Sequence, residues 1–158
     1  RLVGSEMCIR DSPESDCPFE ISTLEVSHDS VCGIMRGMCL IHILEVDGLK
    51  AVHMGDVGTQ LHSGEIGRIF GADALMITAG SCTGLPAQES WRLTEEVFPK
   101  VIIPMHYRDG NRGARRLEHI DAFTDYFEAP EMIHHYQTNS IIIDHDSEPQ
   151  VAVLKYMG

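Results

Sequence analysis

The chain has 158 residues, 43% of them hydrophobic, a length and composition that suit one packed domain and exclude a disordered chain. Twelve Lys plus Arg against 24 Asp plus Glu leave a net charge of -12, which repels phosphate backbones and argues against nucleic acid as a partner. No run approaches the roughly 18 apolar residues that cross a bilayer, so no membrane role is expected; five cysteines without a Cys-x-x-Cys pair suit a reducing, cytoplasmic setting better than a disulfide framework.

Residues 1–12 (Arg-Leu-Val-Gly-Ser-Glu-Met-Cys-Ile-Arg-Asp-Ser) resemble translated sequencing-adapter read-through and are set aside as a non-native segment. Residues 13–158 are then expected to form one partial domain whose gene continues upstream. A polar stretch between Pro13 and Pro18 leads into alternating residues over 19–26, which predict a first strand ending at His28 and Asp29. Gly33 and Gly37 mark a loop, and apolar residues over 38–46 predict a second strand. Asp47-Gly48 tolerates the positive φ of a tight hairpin turn and leads into a third strand from Leu49. Lys50 and His53 interrupt its apolar run, yet Ala51, Val52 and Met54 keep it strand-like, and Gly55 lets the backbone turn so that Asp56 projects beyond the sheet edge.

Ser63 is a fitting N-cap for a helix over 63–70 closed by Gly71, and 74–78 is the next buried strand. Pro86 opens a helix in which Ala87, Trp91, Thr94 and Phe98 form one stripe against the sheet, and Pro99 stops it. The apolar run from Val101 ends on His106. Beyond a loop over 108–113, Leu117, Ile120, Phe123 and Phe127 predict a last amphipathic helix ended by Pro130. Short strands are expected over 132–136, 140–144 and 151–156, giving an α/β arrangement with antiparallel additions.

Three predicted strands end in metal-capable side chains, His28, Asp56 and His106. Ligands of open α/β sheets gather at the carboxyl ends of strands, so one site built from the three competes with three unrelated surface turns, and spacing leaves both open.

The segments His28-Asp29-Ser30-Val31-Cys32-Gly33 through Arg36-Gly37, Glu45-Val46-Asp47-Gly48-Leu49, His53-Met54-Gly55-Asp56-Val57-Gly58 and Ile103-Pro104-Met105-His106-Tyr107 carry a resemblance. Together they resemble the carboxyl-terminal half of a metallo-beta-lactamase-fold hydrolase, nearest the ascorbate-6-phosphate lactonase-like branch, over about 19–157. The resemblance implies half of a four-layer αββα fold and two divalent metal ions, zinc foremost with manganese admitted. His28 and His106 would each bind one ion and Asp56 would bridge both. It also implies a metal-activated water that cleaves a small ester, lactone or phosphorylated metabolite. Asp29, Arg36, His53 and Arg108 fit positions that support the ligands or touch an anionic substrate.

The family's His-x-His-x-Asp-His motif is absent, so the fragment alone is expected to bind metal weakly and show little activity. The competing reading is a non-catalytic half-domain that acts as an interaction or regulatory module. A redox member of the superfamily would need iron and a flavin-binding domain. A lone half-fold should also leave an apolar sheet face uncovered, which allows homo-oligomers. The remaining histidines receive structural readings; His134 and His135 are adjacent in a predicted strand and so point to opposite faces.

Overall fold

The computed structural model describes residues 19–81 and 84–155. The segment 1–12 assigned as non-native, and the end of the last predicted strand at Tyr156, lie outside the described residues. Among the described residues, seven strands form one mixed sheet in the order β1-β2-β3-β4-β5-β7-β6. They are β1 (Glu20–Ser27), β2 (Met38–Val46), β3 (Leu49–His53), β4 (Ala74–Thr78), β5 (Val101–Met105), β6 (Ile133–His135) and β7 (Gln150–Val153).

The first three strands form an antiparallel meander, and Asp47 and Gly48 both adopt positive φ at the hairpin, as the sequence predicts. From β3 onward neighbouring strands run parallel. Two antiparallel steps return the chain to its starting direction, so β1, β3, β4 and β5 all point the same way. Their carboxyl ends therefore share one edge of the sheet.

One face of the sheet is sealed. Leu24, Ile41, Ile43, Val52, Leu75 and Ile77 share a buried cluster with Ile69 of α1 (Ser63–Ile69), Leu93 and Val97 of α2 (Ala87–Val97), and Phe123 of α3 (Asp121–Thr124). On the other face the register aligns Leu44 with Ala51 and Met76 with Ile103, and these apolar side chains are only partly buried.

Several local expectations are corrected. Helix α1 is capped at His62, whose N–H donates to Glu65 Oε2 at 2.7 Å, rather than at Ser63. The buried stripe of α2 is Ala87, Ser90, Leu93, Thr94 and Val97; Trp91 is half-buried against Tyr126, with ring centroids 5.4 Å apart. Phe98 is 73% exposed because the helix has already ended there in a left-handed cap, φ 54°.

The predicted helix through Leu117 shrinks to the four residues of α3. Its would-be first turn gives its backbone groups to neighbours: Glu118 N–H donates to Gly80 O at 2.9 Å, and Glu118 O accepts from Arg108 N–H at 2.8 Å. The stretch 140–144 forms no ladder, and a turn around Asp144 and Ser147 replaces the expected strand.

Candidate metal centre

The strand β3 does not stop at His53. Met54 N–H donates to Met76 O at 2.9 Å, extending the parallel ladder by one bond before the chain turns at Gly55. Gly55 has φ 61°, and a Cβ there would stand 2.6 Å from Leu40 O, so a larger residue is excluded on both counts. Asp56 follows at the lip of the sheet. The buried neighbour Val57 accepts from Leu85 N–H at 3.0 Å and pins the loop.

His28 arrives from β1 on the same edge. The Asp56 and His28 loops touch backbone to backbone: Gly58 N–H donates to Ser27 O at 3.2 Å, and a Cβ on Gly58 would lie 2.5 Å from the His28 carbonyl carbon. Glycine at 58 is what allows this approach. His106 leaves β5 after Ala79 N–H bonds Met105 O at 2.8 Å, and it holds a left-handed φ of 51°. A non-glycine residue in that region carries strain of about 1 kcal/mol or more, and such strain collects at functional positions.

The three side chains meet. His28 Nε2 lies 2.9 Å from Asp56 Oδ2, and His106 Nδ1 lies 3.2 Å from Asp56 Oδ1. Each carboxylate oxygen thus faces a different imidazole. Asp56 and His28 are mostly enclosed, at 30% and 20% side-chain exposure, whereas His106 at 53% opens to solvent. His28 Nδ1 is buried without a hydrogen-bond partner among the described residues, an unusual condition for a ring nitrogen.

The four accessory candidates separate. Asp29 is buried, and its carboxylate accepts four backbone N–H bonds, from Val31 and Gly33 on Oδ1 and from Met35 and Arg36 on Oδ2, at 2.8–3.1 Å. Burial works to raise its pKa, but the four donors together outweigh it and hold the carboxyl below its ordinary value. Both oxygens are committed to the loop that follows His28.

Arg36 gives its backbone N–H to Asp29, and its exposed guanidinium has no partner among the described residues. His53 is half-buried; its Nδ1 accepts the Gly55 N–H at 3.1 Å, directly behind Asp56. Burial first, then the charges of His42 and His106, lower the His53 pKa, so its imidazole is neutral at physiological pH. Arg108 is tied by its backbone to Glu118 and Ile120, and its Nε is buried without a partner.

Two neighbours of Asp56 are not apparent from the motifs. Burial raises the Cys39 pKa, the Asp56 backbone N–H acts to lower it and the Asp56 charge to raise it again, and a Cβ on Gly84 would come 3.4 Å from Asp56 Oδ1. A small residue facing a functional carboxylate leaves no one-dimensional signal, because the loop carrying Gly84 is distant in sequence.

Two imidazoles and a carboxylate are donors that zinc and manganese accept. Each pairing here supplies two donors, whereas zinc sites ordinarily use three or four protein ligands. Among the described residues no group of three or more His, Cys, Asp and Glu is arranged around a single ion. The donor types and the split carboxylate fit a two-metal centre, and the number of donors fits part of one. No helix among the described residues is long and apolar enough to cross a membrane.

The model of the Beta-lactamase superfamily domain matches residues 15–106, a span that holds His28 and Asp56 and ends on His106. Among solved structures, a protein from Thermotoga maritima assigned as a Zn-dependent hydrolase of the metallo-beta-lactamase superfamily superposes with a TM-score of 0.70 at 24% identity. The match covers 86% of this chain and 64% of that one. A protein from Parabacteroides distasonis assigned as a metal-dependent hydrolase gives a TM-score of 0.55 at 16% identity, over 89% of this chain and 54% of its own. No curated protein matches in sequence. At these identities the structures establish a shared fold, and the chain spans less than two thirds of either. With its sheet, its flanking helices and more than half its length accounted for, the chain belongs to the beta-lactamase superfamily.

Proposed function

We propose that residues 13–158 are the carboxyl-terminal part of a dinuclear metal-dependent hydrolase of the lactonase-like branch, acting on a small ester, lactone or phosphorylated metabolite. The observation that carries this reading is the Asp56 carboxylate, whose Oδ2 and Oδ1 face His28 and His106 at 2.9 and 3.2 Å. A carboxylate shared in this way suits a bridge between two ions and offsets part of their charge. The metals, when bound, supply Lewis acidity and lower the pKa of a bound water.

The chain's own residues do the positioning. Asp56 fixes both imidazoles, His53 stays neutral and braces the Gly55 turn, and Asp29 locks the loop beside His28. His106, at 53% exposure the most open of the three side chains, leaves the centre accessible to a substrate from solvent. The partly exposed Leu44, Ala51, Met76 and Ile103 suit a second sheet packed over them, as a half-fold requires.

A non-catalytic half-domain is favoured by one fact, the two donors available per ion. Metal-dependent turnover separates the two readings. The chain loaded with zinc or manganese is assayed on model esters, lactones and phosphate monoesters, beside Asp56→Ala and His134→Ala. Turnover that chelation and Asp56→Ala remove, and His134→Ala leaves, supports the hydrolase. Measurable rates that are equal in wild type and Asp56→Ala, or metal uptake that Asp56→Ala leaves unchanged, favour the non-catalytic module.

A further inference from the structure

Directly after His28 the chain makes a loop whose side chains break the usual rule of burial. Val31, Ile34 and Met35 in the loop and Met38 at the start of β2 are 42%, 84%, 79% and 50% exposed, four of the nine large exposed hydrophobics among the described residues, within eight positions. Scattered apolar side chains need no explanation, but a contiguous group on one loop marks a surface that receives something. The loop is also held firmly. Its base is closed by the His28 N–H to Gly37 O bond at 3.1 Å and by Gly37 N–H to Gly33 O at 2.8 Å, and the Asp29 carboxylate binds four of its amides. A surface fixed in this manner loses little freedom when it is covered.

Arg36 stands on the same loop with its guanidinium exposed and unpaired among the described residues, in a chain of net charge -12. An uncommitted cation beside an apolar platform suits a ligand that is anionic at one end and apolar at the other. We propose that the Asp29–Gly37 loop is the substrate-recognition element of the centre and selects an anion bearing an alkyl or aryl group. This rests on the hydrolase reading for the word substrate, but not for binding itself. Ile34 and Met35 cover the apolar part, Arg36 takes the anionic group, and Asp29 is a positioning residue that holds the loop in register with His28.

The test is binding of octyl phosphate to the metal-free chain, measured by calorimetry, with inorganic phosphate as the headgroup alone. Octyl phosphate should bind at least tenfold more tightly than phosphate, because each buried methylene adds to affinity. The Ile34→Ser/Met35→Ser double variant and Arg36→Gln should each weaken it about tenfold, with circular dichroism confirming the fold. Asp29→Asn should weaken it as well, since its amide NH2 would face the N–H groups that one carboxylate oxygen now accepts. His134→Ala should leave this affinity unchanged, and because the chain is metal-free throughout, loss of the metal-centre reading and loss of this one are told apart. Equal affinity for phosphate and octyl phosphate, or variants that bind as wild type does, overturns the proposal. So does sedimentation showing that the double variant breaks a dimer while octyl phosphate does not bind, which makes the patch a contact between copies.

Discussion

Replacing Gly58 with alanine inserts a methyl group between the two loops that bring His28 and Asp56 together. The added Cβ would overlap the His28 carbonyl, 2.5 Å from its carbon, and lie 2.9 Å from the Asp29 nitrogen. These are backbone atoms that no rotamer change can move aside, so the loops must separate. Overpacking of this kind costs about 1–3 kcal/mol, and loss of the Gly58 N–H to Ser27 O bond adds roughly 1 kcal/mol. The expected destabilisation of about 2–4 kcal/mol corresponds to a fall of roughly 4–16 °C in melting temperature for a chain of this size. Thermal melts by circular dichroism read it directly. Gly67→Ala is the control, because nothing lies within 4 Å of a Cβ there and α1 gains helix propensity, raising stability by about 0.5–1 kcal/mol. An unchanged melting temperature for Gly58→Ala, with retained zinc uptake, would refute the claim that this glycine sets the distance between the two loops.

Acid unfolding should report Asp29. Its folded pKa lies below the ordinary 3.8, so the stability it contributes is complete above that value and is lost as pH falls through the folded pKa. Asp29→Asn should flatten that limb of the acid melt, and an identical acid limb in the variant would contradict the assignment. Phe98→Gly should raise stability by about 0.5–1 kcal/mol, since glycine relieves the left-handed φ of 54° at an exposed side chain; a lower melting temperature would show that Phe98 makes contacts that matter. Thiol labelling with peptide mapping should modify exposed Cys32 well before Cys39, whose pKa is raised first by burial and then by the Asp56 charge; comparable rates would place Cys39 at the surface.

The meander and the edge that carries the site were legible because their signals are local. Asp47-Gly48 dictates a hairpin through its own φ preferences, and the apolar runs before Asp56 and His106 end where the ladder does. Two antiparallel steps followed by parallel pairing then bring His28, Asp56 and His106 to one edge without any long-range clue. What the sequence concealed depends on partners far along the chain. Leu117 keeps helical spacing, yet Glu118 bonds Gly80 and Arg108 instead of continuing a helix. Asp29 reads as a ligand-supporting acid, and only the folded loop shows its oxygens filled by four amides. The closeness of Gly58 to His28 likewise exists only in three dimensions.

The central claim is that Asp56 divides its two oxygens between His28 and His106 in order to hold metal. Zinc titration of the 158-residue chain, followed through the imidazole nitrogen signals of its nine histidines, tests this one residue at a time. The account predicts that the His28 and His106 signals move together as zinc is added and that His134 and His135 stay in place. In Asp56→Ala the two responses should disappear at the same zinc concentrations. Zinc that binds without moving His28 or His106, or that moves them equally after Asp56 is removed, would contradict it.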